Sequence, residues 1–404
     1  MSASSLRDRL VVAALGLTQI IGYGTLYYSF SALAASMAAD FGWSQEWVFG
    51  AFSISLLAGG LAAPLAGSWI DRHGAGKVMA WGSVGAAIAL VACALAPGPI
   101  AFAAGLMAIE LASTFVLYNA AFALLVQINP VTAPRTIIYL TLIAGFASTI
   151  FWPLTSALHA ALSWQGVYFV FAAFHVALCL PIHFWLARLS EVTRKATVDE
   201  TTPRQFVEGS LSTERRQSAF ILMATGLALI SFVVAAILIH MLPMLTALGL
   251  GGASVVIGTL FGPAQVASRL FSMLSGNRIQ PLGLAVISGL LISSSIGVLL
   301  WSSTWLPGAL AFAVILGLGS GLASIVQGTL PLALFGSHGY GQRIGQATAI
   351  RLVATAAAPF VFAFMMQHLG AAITLSIVAM VALAAVASFT AIGRPTATDL
   401  SSEI

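Results

Sequence analysis

The sequence predicts an all-α integral membrane protein with twelve transmembrane helices arranged as two six-helix bundles. Three observations predict it. Charged residues make up 7% of the 404 positions and hydrophobic residues 59%, whereas soluble domains carry roughly 25% charged residues. The apolar residues fall in long runs, such as 167–186 and 371–391, that contain no Lys, Arg, Asp or Glu. About 20 apolar residues suffice to cross a bilayer core as a helix. The basic residues, finally, sort to one side of every loop a twelve-span count produces.

Breaks at Asp40-Phe41-Gly42, Pro97-Gly98-Pro99, Asn129-Pro130 and Leu369-Gly370 punctuate the runs. They place spans near 11–37, 43–70, 76–96, 99–127, 136–161 and 164–187. A second set follows near 218–246, 252–275, 279–302, 306–334, 344–368 and 370–392. The first run is too long for a signal-peptide core and lacks a small-residue cleavage site, so it reads as an uncleaved helix. The one long polar stretch separates the two sets, which gives an N-terminal bundle over 1–188, a mostly irregular linker over 189–217 and a C-terminal bundle over 218–404.

Lys and Arg resist translocation and favour cytoplasmic loops. With the N-terminus inside, the inner loops take Arg7, Arg9, Arg72, Lys77, Arg135, Arg188, Arg194, Lys195, Arg204, Arg215, Arg216, Arg278, Arg343 and Arg394. The outer loops take none, and Arg269 and Arg351 fall inside spans. Both termini are therefore expected in the cytoplasm, and the net charge of +4 reads as topology rather than as a nucleic-acid surface. Cys93 and Cys179 lie in apolar runs and read as packing residues rather than a disulfide.

An offset of 206 residues lays Asp71-Arg72 onto Asn277-Arg278 and Pro153 onto Pro359. A shared offset in different helix pairs suggests two repeated halves, a plan that puts a site between them near mid-membrane.

After the second span comes Gly67-Ser68-Trp69-Ile70-Asp71-Arg72-His73-Gly74-Ala75-Gly76-Lys77. It resembles the major facilitator signature G-x-x-x-D-R-x-G-x-[RK]-[RK]. The D-R-x-G core matches, Lys77 keeps the second closing basic position, and Gly76 replaces the first. The resemblance implies a gating motif of Gly67, Asp71, Arg72, Gly74 and Lys77. In it Asp71 takes the positive N-terminal end of a neighbouring helix and Arg72 pairs across the inner gate. A finer likeness to monocarboxylate and oxalate/formate transporters rests on 22–30, Phe41-Gly42-Trp43-Ser44, Ala63-Pro64 and Gly262-Pro263-Ala264-Gln265-Val266-Ala267-Ser268-Arg269-Leu270. Those families carry an acidic residue and an arginine four apart on helix eight. Here Arg269 keeps the arginine and Gln265 replaces the acid. A fainter likeness to arsenite-efflux permeases has no motif of its own, and two cysteines on distant helices cannot supply a thiolate cage for a soft metalloid.

Charges inside a membrane point to function. Arg269 precedes Arg278 by nine residues and Arg351 follows Arg343 by eight, which puts both roughly 12–14 Å from the inner helix ends at 1.5 Å per residue. Two guanidinium forks suit a carboxylate or other oxyanion; the competing reading is that each only braces the fold. Glu110 is the sole acidic residue deep within a span. It reads equally as a proton carrier or as a structural carboxyl. In the family resembled, helices one, four, seven and ten line the cavity. That adds Tyr23, Tyr27, Tyr118, Asn119, Gln327 and His240 as substrate-contact candidates beside Arg269, Arg351 and Gln265, with a gate hydrogen bond preferred for His240 over metal binding.

Enzyme motifs are not met. Gly74-Ala75-Gly76-Lys77 has Asp71 at the upstream glycine position of a phosphate loop and Val78 after the lysine. Neither a cofactor nor a resident metal is expected, and no soluble ATPase domain is present in the sequence, so an ion or solute gradient must drive movement. The expected protein is a monomeric secondary transporter of the bacterial inner membrane, moving a small organic anion with proton coupling. Its partners are the substrate, the proton and the lipid bilayer, and not nucleic acid. The alternative is proton-driven efflux of a toxic solute, a drug or trivalent arsenic or antimony. The topology has a direct check. In a background lacking Cys93 and Cys179, an impermeant maleimide on intact cells should label Ser163→Cys and spare Ser210→Cys; labelling of both would break the twelve-span assignment.

Overall fold

The computed structural model describes residues 3–199, 207–250, 253–275, 278–302 and 305–393. Arg204, Arg394, the middle of the linker and Asn277 of the internal repeat lie outside them. Among the described residues the secondary structure is helical apart from one isolated antiparallel bridge, Glu208 to Gly336. The chain divides into two compact units, Met1–Gly209 with Phe335–Leu352, and Ser210–Leu334 with Val353–Ile404.

The first unit begins with α1 (Ala3–Tyr23), which passes through a π-helical turn, Gly24–Tyr28, into α2 (Ser29–Phe41). Then come α3 (Gln45–His73) and α4 (Ala75–Ala94), followed by α5 (Pro99–Val116) and α6 (Tyr118–Ile128), which break at Leu117. Next are α7 (Ala133–Ala144) and α8 (Ala147–Ala161), interrupted at Gly145 and Phe146, and α9 (Trp164–Phe174), which enters a second π-helical turn, His175–Cys179, before α10 (Leu180–Asp199). Local chemistry accounts for several of these ends. Ser44 and Ser163 cap α3 and α9 by accepting the amides of Trp47 and Gly166. Pro99 opens α5, where its missing N–H costs nothing. Gly74 joins α3 to α4 at φ +89°, a conformation only glycine adopts without strain.

Tight packing in this unit depends on aromatic and small residues. Phe41, Phe102 and Trp164 form an edge-packed cluster with centroids 4.8–6.0 Å apart. The Trp164 indole N–H and the Gln165 amide both donate to Asp40, at 2.6 and 2.8 Å, which ties the end of α2 to the start of α9. Cys93 and Cys179 are free and buried.

The second unit contains α11 (Arg216–Ala247), α12 (Ser254–Thr259), α13 (Phe261–Ser275), α14 (Pro281–Ser302) and α15 (Leu306–Phe335). The final helix, α16 (Tyr340–Ile392), is divided by a non-helical Gly370 at φ 77°; its residues up to Leu352 belong to the first unit. In α15, Gly317 and Gly321 face α13. A β-carbon at Gly317 would lie 2.5 Å from the Phe261 carbonyl, and one at Gly321 would lie 2.4 Å from the Gln265 carbonyl. Gly319, between them, faces α14 and would put a β-carbon 3.1 Å from the Ile292 amide. Small residues thus bring three backbones together where lipid supplies no hydrophobic drive for helix association.

Ten helices among the described residues are long and apolar enough to cross a membrane, against the expected twelve. The six predicted spans of the first set each match one. In the second set, the stretch over 252–275 divides at Leu260 into α12 and α13, and it carries Arg269. The spans 344–368 and 370–392 merge into α16, of which Phe360–Ile392 is the qualifying stretch. The linker also differs from the expected irregular coil, because α10 continues to Asp199. No Pro or Gly interrupts 189–199, and the first breaker is Pro203.

The glycine contacts generate a stability prediction. Gly321→Ala should lower the melting temperature of the purified protein by several degrees, since overpacking against unyielding backbone costs about 1–3 kcal/mol. Gly297→Ala on α14, where a β-carbon meets nothing within 4 Å, should match the wild type.

Candidate functional site

The described units each hold one group of the polar residues singled out by the sequence. In the first unit the π-helical turn brings Tyr23, Tyr27 and Tyr28 together. The Tyr23 ring lies 6.4 Å from Tyr28 and 4.7 Å from Tyr118, and Tyr27 lies 5.3 Å from Tyr28. Tyr118 stacks on Phe122 at 4.9 Å, and Tyr27 packs on Phe52 at 5.9 Å with its side chain 40% exposed. Arg351, half-buried on α16, lies within electrostatic reach of Tyr23 and Tyr27. Asn119 follows Tyr118 at the start of α6, and its Oδ1 accepts the Thr348 hydroxyl at 3.0 Å. This arrangement depends on the break at Leu117, whose extended backbone (φ −84°, ψ −164°) swings α6 away from α5. Gln19 repairs the break from α1 by donating to the Val116 carbonyl at 2.7 Å.

Glu110 is on α5 at 6% exposure. Ser113 donates to its Oε2 at 3.3 Å, while Oε1 is buried with no hydrogen-bond partner among the described residues. The carboxyl lies within electrostatic reach of Tyr27. Gly59 lets α3 approach closely here, since a β-carbon would sit 3.1 Å from the Glu110 carbonyl oxygen.

In the second unit, Gln265 and Arg269 form two rungs with α15. The Gln265 amide donates to Ser320 at 3.1 Å, and the Arg269 Nε donates to Ser324 at 3.0 Å. Residues four apart on one helix meet residues four apart on the other, so the two faces run in register. Arg269 is 5% exposed. Gln327, half-buried, lies three residues beyond Ser324 on the same helix. His240 stands apart from this ladder: its Nδ1–H donates to the Ala236 carbonyl at 3.2 Å, and its ring packs 5.0 Å from Phe362.

The loop motif has its own geometry. Asp71 accepts two backbone amides at the first turn of α16, Gly341 on Oδ1 at 3.0 Å and Gln342 on Oδ2 at 2.8 Å. These are amides that no intrahelical carbonyl can satisfy, and a carboxylate there also meets the positive end of the helix dipole. Gly67 makes the approach possible, because a β-carbon would fall 2.2 Å from the Gly341 carbonyl oxygen. Arg72 is exposed, and Lys77 forms an ion pair with Glu191. Gly76 departs from the signature for a packing reason: it is buried, and a β-carbon would lie 2.5 Å from Cα of Ala187 on α10.

Sequence reasoning missed several partners. Gln127 bridges α3 and α4 by donating to the Ile70 carbonyl and accepting the Ala75 amide. Ser320, Ser324 and Thr348 supply hydroxyls, and His175 hydrogen-bonds Thr25 at 2.8 Å. A glutamine near the end of an apolar run is a usable signal. Serines within a glycine-rich helix look like packing residues and give none.

Long apolar helices with buried polar clusters and a helix-capping loop define a multi-pass membrane protein. The chain belongs to the Major Facilitator Superfamily, whose family model matches residues 15–359. Solved structures agree on the fold. The human organic anion transporter MFSD10 (TETRAN) is similar at 16% identity and a TM-score of 0.70, over 95% of this chain and 99% of that one. The proton:xylose symporter XylE, bound to 6-bromo-6-deoxy-D-glucose, is similar at 13% identity and a TM-score of 0.70, over 94% and 95%. No curated protein matches at the level of sequence.

The Asp71 contact can be probed without a substrate. Asp71→Ala should accelerate amide hydrogen exchange at Gly341 and Gln342 by about tenfold, the factor that a lost charge-assisted hydrogen bond of roughly 1.4 kcal/mol implies. Equal exchange in the two proteins would remove the carboxylate from the capping role.

Proposed function

We propose that this protein is a proton-coupled secondary transporter of a small organic anion. The observation that carries the reading is Arg351 beside the Tyr23–Tyr27–Tyr118 cluster of the first unit. A guanidinium offers five donors in a planar fork that matches a carboxylate, and phenol rings supply an apolar body with a polar tip around it. In the second unit Arg269 of α13, buried against Ser324 of α15, is a further candidate anchor. Gln265, Gln327 and His240 are the other polar candidates of that unit, and Asn119 is one of the first.

Glu110 is the proton carrier in this reading. A carboxyl with one oxygen hydrogen-bonded to Ser113 and the other buried without a partner can take a proton without losing a contact. Gly67, Asp71, Arg72, Gly74 and Lys77 form the inner gating motif, with the Asp71 contact to the Gly341 and Gln342 amides made and broken in each cycle. The chain is organised as bundles over 1–188 and 218–404 joined by 189–217. It works as a monomer in a bacterial inner membrane with both termini in the cytoplasm.

Proteoliposomes test this reading with radiolabelled formate, lactate and oxalate under an imposed proton gradient. At least one should accumulate. Arg351→Ala and Arg269→Ala should each reduce its uptake by 100-fold or more, as expected when a buried charged hydrogen bond worth about 3 kcal/mol is lost, and the lysine variants should recover little. Glu110→Gln should abolish gradient-driven accumulation and retain exchange. Full uptake in both alanine variants would overturn the anion assignment.

A further inference from the structure

The two π-helical turns of the first unit are bonded to each other. Each is defined by an i to i+5 hydrogen bond: the Ser29 amide donates to the Gly24 carbonyl, and the Leu180 amide donates to the His175 carbonyl. Thr25, inside the first turn, lies 2.8 Å from Nε2 of His175, the first residue of the second turn. The Thr25 hydroxyl proton is committed to the Ile21 carbonyl at 2.8 Å, so the imidazole Nε2–H is the donor to Thr25. One turn further, Ser29 donates to the Thr25 carbonyl at 2.7 Å. That is the carbonyl the Ser29 amide would serve in an α-helix, so the side chain satisfies the group that the π-turn releases. His175 is 1% exposed.

π-Turns are rare and concentrate at functional positions. The consequence here concerns the tyrosines. In an uninterrupted α-helix, residues five apart point about 140° away from each other. Across Gly24–Tyr28 the Tyr23 and Tyr28 rings instead lie 6.4 Å apart, because the π-turn takes an extra residue into the helical turn and narrows the angle between them. The register of this turn therefore decides whether Tyr28 joins Tyr23 and Tyr27 or turns away.

We propose that the bond from His175 to the Thr25 hydroxyl and the bond from the Ser29 hydroxyl to the Thr25 carbonyl hold the α1–α2 segment in its π-helical register, which makes His175 a positioning residue for the tyrosine face. The importance of that face for transport rests on the function proposed above; the register device does not. Without the two bonds, the Ile21–Ser29 segment gains one α-type hydrogen bond and moves to α register. Tyr28 then rotates by about 100°, the angular step of one residue.

Engineered cysteine pairs read the register directly in the purified full-length protein, in a background of Cys93→Ala and Cys179→Ala. Tyr23→Cys with Tyr28→Cys reports the π-turn, and Tyr23→Cys with Tyr27→Cys reports the α-turn. The measurement is the ratio of the two disulfide yields after brief oxidation, quantified by mass spectrometry. Thr25→Val and Ser29→Ala remove only hydroxyls and keep the packing. Each should lower the ratio by about fivefold, the shift expected from one buried hydrogen bond, and the double variant by more. His175→Ala should act like Thr25→Val, and His175→Gln, which restores an N–H donor, should return the ratio toward the starting value. Because no substrate enters the measurement, a failed transport assay leaves this test intact. A ratio unchanged within twofold in the Thr25→Val, Ser29→Ala double variant would overturn the proposal, whatever the histidine variants do.

Discussion

Inside a bilayer a backbone carbonyl that loses its helical partner has no water to turn to, so a side chain must reach it from elsewhere in the protein. The polar chemistry of this chain is organised around the places where it meets that demand. Gln19 crosses from α1 to the Val116 carbonyl at the break between α5 and α6. Ser29 serves the carbonyl released by the first π-turn. Asp71 takes two amides at the first turn of α16, and Arg343 donates to the carbonyls of His338 and Phe335 just before it. The first two are interruptions within a helix, and each brings candidates together: Tyr118 and Asn119 at Leu117, the tyrosine face at the π-turn.

The two intramembrane arginines sit in different surroundings. Arg269 is buried in a ladder, with Gln265 one turn away and two serines opposite, and its Nε donates to the neutral hydroxyl of Ser324. Arg351 is half-buried and within electrostatic reach of Tyr23 and Tyr27, of which Tyr27 is exposed.

Much of the fold was legible because membrane solvation writes it in composition. The charge-free runs, the partition of basic residues and the D-R-x-G core around Asp71 point to the architecture without reference to any contact. The interruptions were not legible, and the reason is physical. A hydropathy window averages over Leu117 or Gly24–Tyr28 as over any apolar stretch, while the group that makes the interruption tolerable lies far along the chain, as Gln19 does from Val116. The same blindness explains 252–275, where the break at Leu260 is invisible to a count of apolar lengths. Of the candidate site, the charged members stand out as costly exceptions to an apolar background. The hydroxyls and His175 were passed over, since Ser, Thr and His in a helix look alike whether they brace or bind.

The Asp71 contact constrains its neighbours unevenly. The carboxylate binds main-chain amides, so it makes no demand on the side chain of Gln342, and any residue there except proline presents the same N–H. Gly341 is in a different position, because a β-carbon on it would lie 2.9 Å from the Gly67 carbonyl oxygen and 2.6 Å from Asp71 itself. A chain that keeps this contact can place any residue but proline at 342, while 67 and 341 are each held to glycine by the other's backbone.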